Sequence, residues 1–330
     1  MALLFIDGFD AKDTAKKWPT FGGTTSATTR FSSGSSVNMF NDGCFTQRYF
    51  TAASTIIVGF AHRQDSNSGA NNSAFFMMQG DNGATLHMNL RLSGTQLQLF
   101  RGSTMVATAN GLILPATWNY LEISATVDST VGVCTVRCNN STVISFSGNT
   151  RNGGTNTTID AIGLNGQFQG GNTYYDDLYI CNASGATNNT FLGDVRIQTL
   201  LPNGAGSSTQ LAPTGSGTNY LNANEVPDST ATYNSSSTVG QRDTYAMGDL
   251  LAGTGNIFAV QQTMGAFKSD SGAASMKNAQ KSGATVSYGA TRSLGTSPAV
   301  YTDVFETNPA TGSAYTASDV NALEGGAEVA

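Results

Sequence analysis

Short runs in which apolar and polar residues alternate are the feature that most constrains the fold of this chain. In residues 86–92 every second side chain is leucine or methionine, which predicts a strand with one buried face. The same alternation places His87 on the solvent side. Further segments of this kind, bounded by Gly, Asn, Asp or Ser, lie at 54–63, 73–80, 95–102, 119–128 and 132–148. This pattern predicts an all-β fold of the sandwich type.

The composition of the chain agrees with many strands and tight turns. Of 330 residues 38 are glycine, and only 12% are charged, so the polar surface consists mostly of Ser, Thr, Asn and Gln. Thr suits exposed strand faces, whereas Gly and Asn suit tight turns. The residues that usually fill exposed helix faces, Glu and Lys, are few.

The charge of the chain limits the partners that we expect. The formal net charge is −6 and the sequence contains no dense group of Lys and Arg, which argues against a nucleic-acid surface. No apolar run approaches the roughly 20 residues of a membrane-spanning helix. The first residues, MALLFIDGFD, are too briefly apolar for a signal peptide and are interpreted as the first strand.

Two domains are predicted from the change of pattern along the chain. Residues 1–188 read as one β-sandwich. Residues 189–330 read as a smaller, loop-rich β domain, with long Ser, Thr, Asn and Gly segments, above all at 202–242.

A short helix is predicted close to the C-terminus, at 317–324. Thr316 can cap its first turn, Asp319 falls at the third helical position, and Gly325 can end it. Val320 and Leu323 form its short apolar face.

The cysteines are interpreted as reduced, buried thiols. Cys134 and Cys138 lie four residues apart, which is too far along one strand for a disulfide bond. A zinc site is the alternative for the cysteines, and only His62 and His87 could join it.

The segment TYYDDLYICN, residues 173–182, contains the adjacent acids Asp176 and Asp177. Strand alternation sends them to opposite faces, so they cannot flank one glycosidic bond as a catalytic pair. Tyr175, Asp177 and Tyr179 are expected on one face, and the acids at a strand edge or loop end. The alternative is a calcium site formed by Asn172, Asp176 and Asp177; no other cofactor is predicted.

A candidate carbohydrate site lies in GLNGQFQGGNTYY, residues 163–175. Aromatic rings stack on sugar faces and amide side chains bind hydroxyl groups. The segment supplies both kinds of side chain, in Asn165, Gln167, Phe168, Asn172 and Tyr174. The alternative is a plain exposed loop.

Catalytic motifs are sparse in this sequence. It has no GxSxG, and two histidines leave little material for a Ser-His-Asp triad. The glycine-rich segments GTGNIF and GAGSS lack the lysine of a P-loop. No catalytic residue is therefore predicted, and the chain is expected to be non-enzymatic.

Several segments together resemble known families. LLFIDGFD, WNYLEISATVD, GVCTVRCNNSTVISFSG and AIGLNGQFQGGNTYYDDLYICN resemble the jelly roll of concanavalin A and laminin G domains, with YYDDLYI as a last strand beside the first. The segment that begins GDVRIQTLLPNGAGSSTQLAPTG and the ending NPATGSAYTASDVNALEGG resemble structural proteins of tailed bacteriophages. The resemblance carries over no catalytic or metal-binding residue.

This resemblance implies a structural virion protein, displayed as a tail or capsid-decoration subunit and assembled in the host cytoplasm. Its expected partners are other virion proteins and copies of itself, with a trimer as the expected state. The first alternative is a lectin-like receptor-binding protein that recognises a host cell-surface glycan. The second alternative is a glycoside hydrolase on the same fold.

Overall fold

The computed structural model describes residues 2–11, 14–31, 34–41, 43–66, 73–167, 171–252 and 255–330. The chain divides into two compact units, Met1–Ile197 and Gln198–Ala330. None of the helices within these ranges is long and apolar enough to cross a membrane.

Among its described residues the first unit contains one short helix, α1, Thr14–Lys17, and fifteen strands. In chain order the strands are β1 Leu3–Asp7, β2 Thr20–Phe21, β3 Thr24–Ser26, β4 Ser36–Met39, β5 Phe45–Ala53, β6 Thr55–Gln64, β7 Phe76–Gly80, β8 Thr85–Ser93, β9 Gln96–Arg101, β10 Thr104–Ala109, β11 Asn119–Thr126, β12 Gly132–Cys138, β13 Ser141–Gly148, β14 Ile159–Asn165 and β15 Thr173–Asn182.

These strands form a sandwich of two antiparallel sheets. Sheet A has the order β13-β12-β11-β6-β15-β4-β3, with β1 paired to β15 as well, and sheet B has the order β10-β9-β8-β7-β14-β5-β2. One apolar core joins them, with Val58 and Phe60 from sheet A and Leu90 and Leu97 from sheet B. The prediction of an all-β sandwich is confirmed.

Local sequence accounts for several of these pairings. β12 and β13 are joined by Asn139 and Asn140, both with positive φ, as a two-residue hairpin turn requires. β8 and β9 form a hairpin, and β11, β12 and β13 form an antiparallel meander. The last strand, β15, does lie beside the first, β1.

The first unit extends past the predicted boundary at residue 188. Residues 189–197 belong to it because buried acids of the sandwich hold their backbone. The Gly193 N–H donates to Glu122 over 2.7 Å, and the Ile197 N–H donates to Asp177 over 2.7 Å.

The second unit, outside residues 253–254, contains ten strands and two short helices, α2, Asn219–Ala223, and α3, Ala317–Asn321. Its strands are β16 Pro202–Thr209, β17 Ala212–Thr214, β18 Tyr233–Ser235, β19 Arg242–Met247, β20 Val260–Ala266, β21 Ser275–Ser282, β22 Thr285–Tyr288, β23 Arg292–Ser293, β24 Ala299–Phe305 and β25 Glu324–Val329.

The second unit is organised around an antiparallel sheet of order β16-β19-β25-β21-β22, with β23 paired to β21. β17 pairs with β18 and β20 with β24 as separate ribbons. The segment 202–242, expected to be long loops, therefore contains β16, α2 and two ribbon strands. β16 forms by pairing with β19 although few apolar residues mark a strand there, and its small side chains alternate in exposure.

The C-terminal helix begins as predicted and ends earlier. Thr316 and Asp319 form a reciprocal capping box, and Val320 and Leu323 are both buried. The helix ends at Asn321, however, and Gly325 lies within β25. Pairing of β25 with both β19 and β21 supplies more hydrogen bonds than another helical turn would.

The four cysteines are free and buried, as predicted. Burial raises the pKa of the Cys134 thiol to about 12 and that of the Cys138 thiol to about 11. Both thiols are therefore protonated at neutral pH and pack as small apolar side chains.

Candidate functional site

The residues of the predicted carbohydrate site do not come together in one place. Asn165 is 8% exposed, its side-chain N–H donates to the Ala74 carbonyl over 3.3 Å, and its oxygen accepts from Gly43 N–H over 3.2 Å. Gln167 is 1% exposed and donates to the Ser73 carbonyl over 3.2 Å. Phe168 lies outside the described residues.

Asn172 and Tyr174 meet instead at the carboxylate of Asp65. The Asn172 side chain donates to Asp65 over 3.2 Å and the Tyr174 hydroxyl donates to it over 3.3 Å. Arg63 completes the group with an ion pair of 3.0 Å to Asp65, and the Trp118 ring lies 6.4 Å from that of Tyr174. The predicted site is thus divided between two locations in the first unit.

The predicted strand-edge position of Asp176 and Asp177 is wrong. Both acids are buried in β15, which has neighbours on either side in sheet A. A β-bulge occurs between Asp176 and Tyr179, and Asp177 has a φ of 49°. The extra residue shifts the alternation, so that Tyr175 shares the core with Leu178 rather than sharing a face with Tyr179.

The oxygens of this acid pair bind groups of the chain itself. Asp177 accepts from Arg30 over 3.1 Å, and Asp176 accepts from the Asp177 N–H over 2.8 Å. Burial raises the pKa of both carboxyl groups, and the charge of Asp177 adds to the effect on Asp176. Asn172, the third predicted metal ligand, bonds to Asp65 and Asn38 instead.

Within the described ranges, no group of three or more His, Cys, Asp or Glu side chains could hold a metal ion. The calcium alternative for Asn172, Asp176 and Asp177 therefore receives no support from their arrangement. His87, expected on the solvent side, is fully buried, because Asn152 covers it and donates its backbone N–H to the imidazole over 3.2 Å.

The outward side of sheet B carries a feature that the sequence did not reveal. On β7, β8 and β9 the leucines and methionines at alternate positions enter the core, so the residues between them point away from it. These outward residues are mainly amides and aromatics. We call this surface the amide face; it comprises Phe45, Gln47, Tyr49, Met77, Gln79, Asn89, Arg91, Gln96, Gln98 and Phe100.

The strand register places these side chains in rows across the sheet. Gly163 of β14 is paired with Gln47 on one side and Met77 on the other. The row continues from Met77 to Asn89 and then to Phe100. The row thus holds side chains from four strands, β5, β7, β8 and β9; Met77 and Phe100 are partly exposed, whereas Gln47 and Asn89 are buried.

Gly163 has a specific role in this row. A Cβ atom there would lie 2.5 Å from the Phe45 ring and 3.2 Å from the Met77 methyl group. The absent side chain therefore lets the Phe45 ring lie close to the sheet backbone.

Hydrogen bonds hold the amide groups in fixed orientations. Tyr49 donates to Gln47 over 2.6 Å, Gln47 donates to Gln79 over 2.9 Å, and Gln79 donates to the Gly83 carbonyl over 2.8 Å. Each amide in this chain still has a second N–H or a second lone pair to offer.

A second chain of contacts orients the arginine of the amide face. Asn89 donates to the Gly102 carbonyl over 2.8 Å and accepts from Arg91 Nε over 3.0 Å. The Arg91 guanidinium stacks on the Phe100 ring, 4.1 Å from its centroid. Arg91 is thus held flat against the sheet, and it supplies the one formal charge among the residues of the amide face.

Comparison with known proteins gives similarity at the level of the fold. No protein-family model matches the sequence, and no curated protein matches it. Among solved structures, the chain is similar to the alginate lyase Aly36B, with 12% identity and a TM-score of 0.39 over 54% of this chain and 93% of that one. It is also similar to a sialidase, with 12% identity and a TM-score of 0.40 over 54% of this chain and 18% of that one.

A third similar structure is the binding domain of Paraclostridial Mosquitocidal Protein 1, with 13% identity and a TM-score of 0.33 over 48% of this chain and 42% of that one. Lyases and sialidases are enzymes, and these comparisons contradict the prediction of a non-enzymatic virion structural protein. The bacteriophage resemblance likewise receives no support. At these identities the similarity concerns the fold, so a function must be argued from the residues of this chain.

Proposed function

We propose that the N-terminal sandwich binds a glycan on the amide face of sheet B. The observation that carries this proposal is the series of amide and aromatic side chains on four strands of sheet B, β5, β7, β8 and β9. Sugar rings present both apolar C–H surfaces and hydroxyl groups, so a binding surface needs flat aromatic rings beside groups that donate and accept hydrogen bonds.

The internal hydrogen bonds of the amide face favour binding. Gln47 and Gln79 are fixed by Tyr49 and the Gly83 carbonyl, so a ligand would not have to immobilise them. Ordering a flexible polar side chain on binding costs about 0.5–1.5 kcal/mol, and this cost is already met in the free protein.

The exposed members of the amide face provide the contact area. Tyr49 is 37% exposed, and Gln98 is half-buried with its amide oriented towards Gln96 over 2.6 Å. Phe45 and Phe100 are both partly exposed, and the Arg91 guanidinium covers one face of the Phe100 ring. An extended oligosaccharide suits this arrangement better than a single sugar does, because the side chains follow the sheet rather than surrounding one cavity.

The test is a glycan array with the full chain, followed by calorimetric titration of each glycan that binds. We expect Tyr49→Ala and Gln98→Ala each to weaken binding about tenfold, in line with the loss of one well-placed aromatic or hydrogen-bonding contact. Tyr233→Ala is the matched control, since Tyr233 is 39% exposed and belongs to the second unit.

Asn172→Ala tests the location that the sequence predicted. Weaker binding by Asn172→Ala, with Tyr49→Ala and Gln98→Ala unchanged, would move the site to the group around Asp65. An array without any bound glycan would overturn the proposal. Mass spectrometry of the bound glycan after incubation adds a second readout, since shortened products would extend recognition to cleavage.

A further inference from the structure

One end of the sandwich interior contains polar side chains that the core does not satisfy. We call them the interior polar cluster: His62, Gln64, Ser73, Gln167 and Thr173. In the described part of the chain, no hydrogen-bond partner exists for either ring nitrogen of His62, either amide atom of Gln64, the hydroxyls of Ser73 and Thr173, or the Gln167 oxygen. Such atoms are costly to bury without a partner.

The strand register places the sheet A members of this cluster together. His62 and Gln64 lie two residues apart on β6 and are both fully buried, so they point to the same side of the sheet. Tyr175 is paired with His62, and Thr173 is paired with Gln64. Because Tyr175 belongs to the core, this side is the interior of the sandwich.

The sheet B members face them from the other layer. The His62 ring lies 4.6 Å from that of Phe75. The Tyr175 hydroxyl lies 2.8 Å from the carbonyls of both Phe75 and Asn165. These contacts form one layer of the interior that spans the two sheets.

The next layer towards the same end is polar. Each member of this layer is two residues away in sequence from a member of the aromatic layer: Gln64 from His62, Thr173 from Tyr175, Ser73 from Phe75 and Gln167 from Asn165. Gln167 donates to the Ser73 carbonyl over 3.2 Å. Gln64 and Thr173 are fully buried and Gln167 is 1% exposed. A hydrogen-bonding layer thus follows the aromatic one.

The chemistry of the cluster selects a neutral occupant. Burial lowers the pKa of His62 to about 3, so its imidazole is uncharged at neutral pH. The cluster itself contains no carboxylate that could balance a cation. Hydroxyl, amide and imidazole groups both donate and accept hydrogen bonds, which is what a water molecule requires of its neighbours.

We propose that the interior polar cluster binds ordered water molecules that bridge sheet A and sheet B at this end of the sandwich. Buried waters typically make about three hydrogen bonds each to polar groups that would otherwise lack partners. The waters are then part of the fold, and their removal would leave Gln64 and Thr173 unsatisfied between the sheets.

Thr173→Val decides between a hydrated and a dry cluster because the two side chains have nearly the same shape. If waters bind the hydroxyl, the variant loses a hydrogen bond, and the equilibrium constant for unfolding should rise about five- to tenfold. If the cluster is dry, the variant removes an unsatisfied hydroxyl and should stabilise the protein. Denaturant unfolding followed by tryptophan fluorescence reports this unit, since Trp18 and Trp118 both lie in it.

Two matched variants calibrate the result. Thr150 is fully buried and its hydroxyl donates to the Thr126 carbonyl over 2.7 Å, so Thr150→Val measures the loss of a satisfied hydroxyl. Thr142 is exposed on β13, so Thr142→Val measures the change in strand propensity alone.

High-resolution diffraction from crystals of the full wild-type chain gives an independent test. Water density within hydrogen-bond distance of Gln64 and Thr173, together with destabilisation by Thr173→Val, supports the proposal. An empty cluster, density for a metal ion or organic molecule there, or stabilisation by Thr173→Val overturns it.

Discussion

Tyr179 of β15 reaches Glu122 of β11 across the intervening strand β6, and its hydroxyl donates a 2.6 Å hydrogen bond to the Glu122 carboxylate. Gly59 of β6 is paired with both residues and lies beneath the tyrosine ring. The same carboxylate accepts from Gly193 and forms an ion pair of 3.2 Å with Arg137. One buried acid thus joins three elements of the first unit.

Gly59→Ala should destabilise the first unit by about 1–3 kcal/mol, the usual cost of overpacking. A Cβ atom at this position would lie 2.1 Å from the Tyr179 ring, so the ring would have to move away from Glu122. Chemical denaturation followed by tryptophan fluorescence measures the effect. Gly204→Ala is the control for a methyl group added within a strand, because a Cβ there meets its nearest neighbour at an ordinary 3.7 Å; calorimetry measures its effect, since Gly204 lies in the second unit and both tryptophans lie in the first. In a chain that also carries Tyr179→Ala, Gly59→Ala should lower the free energy of unfolding by less than it does alone. If the two free-energy changes simply add, the clash between the Cβ and the ring is refuted.

Tyr179→Phe should lower the free energy of unfolding by about 1.5–3 kcal/mol, the range for a hydrogen bond to a charged group. The substitution leaves the ring over Gly59 and removes only the hydroxyl that serves Glu122 and the Leu192 N–H. Tyr174→Phe is the matched control, since its hydroxyl makes a longer bond of 3.3 Å to the partly exposed Asp65. If both variants lost the same free energy of unfolding, the buried hydrogen bond between Tyr179 and Glu122 would contribute no more than the partly exposed one between Tyr174 and Asp65.

Asp176→Asn should stabilise the protein at pH 8 relative to wild type, and the gain should shrink towards pH 5. The fold raises the pKa of Asp176 through burial and the neighbouring Asp177, so the fold favours the protonated carboxyl. The stability that the protonated Asp176 carboxyl contributes is therefore fully present below the ordinary aspartate pKa of about 3.9. This stability is lost as the pH rises through the raised pKa of Asp176 in the folded protein.

Thermal unfolding of both proteins at a series of pH values measures this difference. Asp128→Asn should behave in the opposite way, because hydrogen bonds from Val131 and Thr130 lower the pKa of Asp128 and the fold favours its charged form. A stability difference for Asp176→Asn that does not change with pH would contradict the burial of an ionisable pair.

Thr316→Ala should destabilise the second unit by about 1 kcal/mol, the typical cost of losing a helix N-cap. The Thr316 hydroxyl accepts from the Asp319 N–H over 3.1 Å, and the Thr316 N–H donates to the Asp319 carboxylate over 2.8 Å. The helix positions Val320 and Leu323 in the small core of this unit. Calorimetry of the variant and of Ser318→Ala, an exposed position of the same helix, separates the cap from helix propensity.

Features that depend on a few consecutive residues were predictable from the sequence. The alternation in β8 and β9 and the paired asparagines of the β12 to β13 turn act within one or two strands. The capping box at Thr316 acts within a single helical turn. Local preferences are enough to fix such elements, so strands such as β8 and β9 and the start of the helix could be read directly, whereas β16 could not.

The candidate site could not be predicted in the same way. Asn165, Gln167, Asn172 and Tyr174 are close in sequence, yet the fold separates them, because the chain passes from sheet B to sheet A between Asn165 and Thr173. Conversely, Gln47 and Gln79 lie 32 residues apart in sequence and meet only because β14 pairs with both β5 and β7.

The sequence by itself determined the all-β character of the chain, its turns and its short C-terminal helix, because these follow from side-chain periodicity and local backbone preference. The tertiary structure decided the rest: the burial of Asp176 and Asp177, the shifted alternation after the bulge and the assembly of the amide face. These depend on which strands become neighbours, and that choice is made by burial of the whole core rather than by any short segment.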